Sequence, residues 1–411
     1  MNTAQNRVHV LTAGPPPRNK LMFFSGMLVG AIFVLLCFWG VHTYQRHTYW
    51  EGGISPNRKI REMTAIINRY AILEFNMADM LESMYRGFIA GMGDPYTQYL
   101  DHAGVRALRQ RTDGTIVGIG INVVLDPADS IVTIVNVISG APAAEAGLRN
   151  GDKIIGVDGI SAIGISTAEV VGLITGEVDT PVRLDILRPS ENKTFEIEII
   201  RAVVTVPSIF YEMIETEAGL AGYIRIEGFE RQTAAQFQLA IESLTDAGMQ
   251  SLVVDVRNNP GGLLDSVVQI TNMLVPEGVI TFLEDAGGNR EYRLATSGYV
   301  GLPLAVLIND RSASASEVLA GAVQDRGVGI LVGEQSFGKG IVQNLHRLSD
   351  GTELKLTIAQ YFTPNERFIH DIGLTPDIVV PMPNPHNHSI ATLPFDEDLQ
   401  LQEALRTIQR Q

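Results

Sequence analysis

The sequence predicts a multidomain α/β protein, on three observations. Its 411 residues exceed what one ordinary hydrophobic core organises, so two or three domains are expected. From Gly222 to Phe362, short apolar runs alternate with helix-length amphipathic stretches, the pattern of stacked ββα units with functional groups at strand ends. Between 112 and 204 the texture changes to short strands, glycine turns and two short helices, which marks an inserted unit.

Composition narrows the classes. The chain is 45% hydrophobic and 19% charged, a globular balance, and its net charge of -15 argues against a nucleic-acid partner, which favours a basic stripe. Its single cysteine, Cys37, rules out an internal disulfide and a cysteine-based metal site. From Leu21 to Gln45 there is no Asp, Glu, Lys or Arg, and residues 21–40 are apolar or small throughout. About 20 such residues at ~1.5 Å each cross a hydrocarbon core of ~30 Å. Arg7, Arg18 and Lys20 precede the run without an acidic residue, the charge bias of a cytoplasmic start and an exported remainder. The alternative is a cleaved signal peptide. The run ends Cys37-Phe38-Trp39-Gly40-Val41-His42, without a small-x-small cleavage site, and Leu36 before Cys37 does not suit lipid attachment. The expected organisation therefore begins with a cytoplasmic segment, 1–20, and a single transmembrane anchor, 21–41.

Residues 42–111 follow as a polar spacer and two amphipathic helices, with apolar residues at helical spacing (Ile60, Met63, Ile67, Tyr70; Met77, Met80, Met84, Phe88) and a break near Asn76. Gly93-Asp94-Pro95-Tyr96 stops the second helix. The Met and aromatic stripe reads as core or dimer packing rather than a ligand site.

In the inserted unit, 112–204, strands are expected over 117–121, 131–138, 153–157, 182–187 and 194–200, with a helix over 167–175. This order resembles a bacterial-type PDZ domain, and the run Ala146-Gly-Leu-Arg-Asn-Gly-Asp-Lys-Ile-Ile-Gly-Val-Asp-Gly159 is the specific match. A module of that kind suits capture of peptide tails. Amides of the Gly118-Ile119-Gly120 turn can hold a terminal carboxylate, and the following strand can accept an added strand. The glycines alone would only make a tight turn; the pattern of the whole unit carries the reading.

Residues 205–384 hold the α/β core. Strands are expected over 223–226, 251–256, 304–308 and 329–332, helices over 233–244 and 263–274, and a hairpin over 341–362 around Ser349-Asp350-Gly351. The last segment, 385–411, ends in a capped amphipathic helix over 396–411 (Leu399, Leu401, Ala404, Leu405, Ile408).

Chemistry concentrates between Arg311 and Gln343. Ser312, Ser314 and Ser316 alternate with alanines before a helix, more hydroxyls than a cap needs, and small residues there let the backbone turn tightly. A serine hydroxyl needs a base to become nucleophilic. Of the eight histidines, His9, His42 and His47 lie near the apolar run, His102 follows the N-terminal helices, and His386 and His388 sit in a Pro/Asn-rich tail. His346 alternates along a hairpin strand, His370 sits in a loop as a minor candidate base with a structural role the first reading, and no Gly-x-Ser-x-Gly elbow occurs. Lysine is the other route. At an ordinary pKa of about 10.4 it is protonated, but desolvation disfavours the charged form. Gly338-Lys339-Gly340 follows an apolar strand with Phe337 alongside, so a buried turn is expected, and Gln343 could orient the amine without adding charge. Ser/Lys is a recognised variant of triad logic. By itself Lys339 would read as a solvated turn lysine. The run Gly333-Glu-Gln-Ser-Phe-Gly-Lys339 also mimics the start of a P-loop, but Gly340 stands where the magnesium-binding Ser or Thr belongs.

Five long runs in order identify a resemblance to the C-terminal processing peptidases, or tail-specific proteases, from about residue 60 to 381. They are Gly93–Leu100, the PDZ-like unit, Asp255–Leu264 (DVRNNPGGLL), Ser312–Asp325 (SASASEVLAGAVQD) and Val332–Gln343 (VGEQSFGKGIVQ), joined by Asp371–Val380. The resemblance implies a crotonase-like peptidase core with an inserted PDZ domain. It implies Ser314 as nucleophile, Lys339 as general base and Gln343 as the residue that positions the lysine. It places the oxyanion hole on the amide of Ala315 and one from Gly261 or Gly262, and makes Asp325 a structural neighbour. Amides at a helix start and a glycine turn suit negative charge, and one such donor is typically worth about 3–4 kcal/mol in the transition state. No metal, nucleotide or organic cofactor is implied. The partners implied are C-terminal tails of proteins or peptides, with a homodimer or an adaptor as further expectations. The working reading is a single-pass inner-membrane serine endopeptidase of a bacterium, with its catalytic part in the periplasm. The alternative is a catalytically silent PDZ scaffold.

Overall fold

Residues 56–296, 298–382, 390 and 393–409 are described by a computed structural model. The expected cytoplasmic segment 1–20 and the anchor 21–41 lie outside the described residues. Among the described residues no helix is long and apolar enough to cross a membrane.

The chain divides into two units near residue 80. The first contains α1 (Pro56–Tyr70), which leaves Met63, Ile66 and Tyr70 exposed. After 71–76, Asn76 Oδ1 accepts the Ala78 N–H at 3.0 Å and opens α2 (Met77–Ala90), placing the helix break where the sequence predicts it. The stripe, read as core or dimer packing, is not core among the described residues: α2 buries no residue and Phe88 is exposed, although the Tyr85 ring packs against that of Tyr99 at 5.4 Å.

The second unit continues with β1 (Gln98–Leu100) and α3 (His102–Asp113). Asp101 caps α3 by accepting the Gly104 N–H at 2.7 Å, and Gly114 ends it in the left-handed conformation. β2 (Thr115–Gly118) leads into a sheet built from β3 (Ile121–Leu125), β4 (Val132–Val137), β5 (Lys153–Val157), β6 (Ile160–Ser161), β7 (Pro181–Arg188) and β8 (Lys193–Ile200). The order is β3-β4-β5-β7-β8, with β6 on β5. Two helices, α4 (Pro142–Glu145) and α5 (Thr167–Ile174), complete it around buried Ile119, Ile134, Ile154, Leu184 and Ile186. The continuous strand expected over 117–121 is instead broken after Gly118. Gly120 has φ +81°, and a Cβ there would stand 2.3 Å from that of Ala141, so only glycine makes this turn. A buried bidentate pair, Arg188 with Asp152 at 2.7 Å through both oxygens, closes the Arg149–Asp152 turn against β7. β9 (Ala202–Thr205) then returns alongside β2, so both crossings into and out of this sheet form one antiparallel ribbon.

The α/β core has β10 (Ile209–Thr216), β11 (Gly219–Ile226), α6 (Thr233–Asp246), β12 (Ser251–Asp255), α7 (Leu264–Leu274), β13 (Gly278–Asp285), β14 (Arg290–Ala295), β15 (Leu304–Ile308), α8 (Ala315–Asp325), β16 (Ile330–Gly333), β17 (Ile341–Arg347), β18 (Glu353–Phe362), β19 (Ile378–Val379) and α9 (Leu399–Ile408). One sheet runs β10-β11-β12-β15-β16-β19, parallel from β11 onward. Helices α6, α7 and α8 cover one face through Phe237, Leu244, Val267, Ile270 and Leu319. The other face meets α9 through Leu401, Ala404, Leu405 and Ile408. Coverage on both faces explains why β12 and β15 are buried at every position. A second sheet, β1-β18-β13-β14 with β17 on β18, stands beyond α8. The β13–β14 hairpin was not among the sequence expectations.

Candidate active site

Parallel strands place their C-terminal ends on one rim. From β12 the chain runs into Arg257–Gly262, and from β15 into the serine cluster. Ser312 and Ser316 are 0% exposed and engaged: Ser312 Oγ donates to Val256 O at 2.8 Å, and Ser316 Oγ to Asn259 O at 2.9 Å. Ser314, half-buried between them, lines an open pocket of about 350 Å³. Its φ of 57° and ψ of -112° lie in a region that non-glycine residues rarely adopt. Held strain at one residue typically costs about 1–3 kcal/mol and needs surrounding bonds to persist.

Glu317 supplies those bonds. It sits on the first turn of α8, fully buried, and its carboxylate accepts the Ser314 N–H at 2.8 Å, Ser336 Oγ–H at 2.5 Å, Gly338 N–H at 2.7 Å and Lys339 N–H at 2.8 Å. These amides of the P-loop-like run are the ones a phosphate would use, and a carboxylate of the same chain fills them. Tyr361, buried on β18, lies at 3.0 Å from Ser314 O and also reaches Lys339 O. Burial and Glu317 push its phenol well above its ordinary value, so it acts as a donor here. Sequence reasoning missed both residues. Glu317 had the signature of a capping acid three residues after a serine, which hides its second job.

Lys339 lines the same pocket as Ser314, as do Gln343, Ala315, Gly261 and Gly262. Burial pushes the Lys339 amine below its ordinary value, and Lys355 and Arg111 add to the effect, against Asp94 and Glu317. The source of burial differs from expectation: Phe337 is 54% exposed. The flanking glycines instead seat the turn on the loop 369–373, where a Cβ on Gly338 would meet Gly373 N at 2.8 Å and one on Gly340 would meet His370 N at 2.8 Å. His370 packs edge-on toward Tyr96 and is not among the pocket-lining residues. The Lys339 ammonium lies 4.9 Å from the centroid of the Tyr96 ring and makes no hydrogen bond to Ser314 or Gln343. The Gln343 amide nitrogen is 3.5 Å from Ile341 O.

The glycine turn offers amides beside Ser314. Asn259, fully buried, organises it: Oδ1 accepts Gly261 N–H at 2.8 Å, Nδ2 donates to Ile226 O at 2.8 Å, and its carbonyl accepts Ala313 N–H at 3.0 Å. Gly261 N–H is thereby committed, whereas Gly262 N–H and Ala315 N–H have no acceptor among the described residues. Arg257 ties the base of the turn down. With Asp255 and Asp398 it forms a buried cluster at 2.6 and 2.7 Å, which Tyr223 and Gln400 complete. Asp398 also caps α9, at 2.9 Å to Leu401 N. Asp325, at the end of α8, accepts Asn365 N–H at 2.8 Å and pairs with Arg367, away from the pocket.

In the inserted domain, Ile119 and Gly120 N–H have no acceptor among the described residues, and Gly118 has open space on its α-carbon. The next strand, β3, is a sheet edge beside α5. Val124, Leu125 and Val171 are exposed there.

Comparison with known proteins matches residues 221–380 to the model of peptidase family S41 and 133–188 to that of a PDZ domain. The chain is similar to the carboxyl-terminal-processing protease of Synechocystis sp., 34% identical over 319 residues that cover 77% of this chain and 74% of that one. It is 32% identical over 382 residues to the carboxy-terminal-processing protease of Bartonella bacilliformis, covering 90% and 84%. In fold it is similar to a solved structure from Bacteroides fragilis described as an S41 protease, with a TM-score of 0.54 at 19% identity over 79% of this chain and 89% of that one.

Proposed function

Because this chain belongs to the S41 peptidases, as a carboxyl-terminal-processing serine protease with a PDZ domain, we propose that it cleaves protein tails by a Ser314/Lys339 dyad. The carrying observation is that Ser314, Lys339 and two uncommitted amides line one pocket. Ser314 Oγ attacks the scissile carbonyl as the neutral Lys339 amine takes its proton. The amides of Ala315 and Gly262 receive the oxyanion; the commitment of Gly261 N–H to Asn259 favours Gly262. The Lys339 ammonium then protonates the leaving amine, and water cleaves the acyl-enzyme by the same relay. Gln343 positions the lysine once it turns toward Ser314, and Asp325 is structural.

The PDZ domain captures the substrate's terminal carboxylate on the amides of the Gly118-Ile119-Gly120 turn, with the tail added along β3. Residues 21–41 anchor the chain once in the inner membrane of a bacterium, with the catalytic part in the periplasm. Substrates are then tails of extracytoplasmic proteins. A homodimer and an adaptor belong to the same reading, the first testable by light scattering. The decisive experiment is cleavage of an unstructured tail peptide by Ser314→Ala and Lys339→Ala proteins that keep the wild-type circular dichroism spectrum. Loss of cleavage in both is expected; full activity in either removes the dyad.

A further inference from the structure

The Gly93-Asp94-Pro95-Tyr96 run stops α2, yet it is built more firmly than a helix stop needs. Asp94 accepts the Tyr96 N–H at 2.9 Å, Thr97 Oγ1–H at 2.6 Å and Thr357 Oγ1–H at 2.6 Å, and Thr97 Oγ1 accepts the Thr357 N–H at 3.1 Å. Gln98 then pairs with Lys355 as β1 joins β18. Thr357 stands opposite Gln343 on β17. The run is thus riveted to the strand that walls the pocket, and what it presents there is the ring of Tyr96.

The Lys339 Nζ lies 4.9 Å from the centre of that ring, cation–π distance. Among the described residues it has no ion pair and no hydrogen bond. Lys355 from β18 and Arg111 from α3 face it as like charges, and Asp94 and Glu317 as opposite ones. Both carboxylates are already occupied, Asp94 by two hydroxyls and an amide, Glu317 by three amides and the hydroxyls of Ser336 and Tyr361. Asp371, His370 and the buried Tyr361 complete the set of titratable neighbours around Tyr96 and Lys339. The ring face is therefore the partner left for the ammonium. A neutral amine has no such attraction to it.

We infer that Tyr96 is a positioning residue for the proposed base: its ring face holds the protonated Lys339 amine off Ser314, and the neutral amine is released to it. Protonation state and side-chain position are then one variable, and the resting lysine is parked rather than engaged. This rests on Lys339 being the base, so one readout must be independent of turnover.

The test follows Lys339 by NMR titration in lysine-labelled Ser314→Ala protein, its resonance assigned by its loss in Lys339→Met, beside pH profiles of kcat/KM in otherwise wild-type protein. Tyr96→Phe keeps the ring face and is expected to match wild type in both. In Tyr96→Leu, Lys339 is expected to titrate at lower pH, and kcat/KM on the acid limb, relative to its own plateau, to rise about threefold. An unmoved titration in Tyr96→Leu overturns the inference. So does a move to higher pH, which would make the ring a water shield rather than a seat for charge, or equal changes in Tyr96→Phe. A Lys339 titration that moves without the acid limb confirms the ring contact and removes Lys339 as the base, separating the two readings.

Discussion

The Glu317 carboxylate accepts the backbone N–H of Lys339 at 2.8 Å, joining the helix that carries Ser314 to the turn that carries the lysine. The same oxygen accepts the Ser314 amide at 2.8 Å, so one buried anion sets both ends of the proposed dyad. An amide side chain would aim hydrogens at donors. Glu317→Gln is therefore expected to lower kcat at least about 100-fold and to cost about 2–3 kcal/mol of stability, from buried donors left unpaired. Urea unfolding and peptide cleavage measured together check this, and a fully active Glu317→Gln protein would show that the two turns hold each other without it.

Lys355 and Arg111 help burial push the Lys339 amine below its ordinary value. Lys355→Met removes one of these like charges, so the acid limb of kcat/KM is expected to move to higher pH. Lys355 is itself pushed down by burial and by Arg111. A lysine held below its unfolded value costs stability while protonated, and the cost is relieved as pH rises toward the ordinary lysine range. Lys355→Met is accordingly expected to be more stable than wild type at pH 7, with the gap closing near pH 10. A limb that stays fixed would place Lys355 outside the field of the base.

Asp398 binds Arg257 through both oxygens, at 2.8 and 2.7 Å. Removing one partner of a buried pair typically costs about 3–5 kcal/mol. Asp398→Ala is expected near the lower figure, since Asp255 remains, and to lower kcat by loosening the 258–262 turn. Hydrogen exchange of the β12 and α9 amides would report the loosening. Unchanged exchange with unchanged rate would make the cluster a local staple of α9 alone.

A Cβ on Gly261 would stand 2.8 Å from Ala313 O and 2.9 Å from Ala315 N and from Ser314 Cβ, whereas one on Gly262 would meet the Phe229 carbonyl oxygen at 2.3 Å. Gly261→Ala is expected to push the turn off the serine, lowering kcat about 100-fold with a modest loss of melting temperature. Both sites meet backbone, but the Gly262 contact is tighter by half an ångström, at 2.3 Å against 2.8 Å, so Gly262→Ala is expected to unfold at the lower temperature of the two. Equal melting losses in the two would contradict the contact geometry.

Much of this was legible because it is local. β15 falls where its apolar run predicts, since strand burial writes itself into consecutive residues. The serine cluster and the glycine turn were legible as motifs. Tyr96, Arg111 and Lys355 were not, because their meeting with Lys339 is set by strand pairing across distant parts of the chain and leaves no periodic trace. The β13–β14 hairpin escaped because β14 is mostly exposed and its polar residues mask the alternation. Phe337 misled for a simpler reason. A bulky residue beside a lysine suggests cover, but glycines on both sides of Lys339 let backbone supply it.

The Arg257 cluster joins residues 141 positions apart, and its far member arrives with the last helix. That helix covers one face of the parallel sheet and brings Arg257 its second carboxylate beside Asp255. The turn beside Ser314 thus takes its far buried tie from a helix that contributes no residue to the pocket, so its stiffness depends on packing on the opposite face of the sheet.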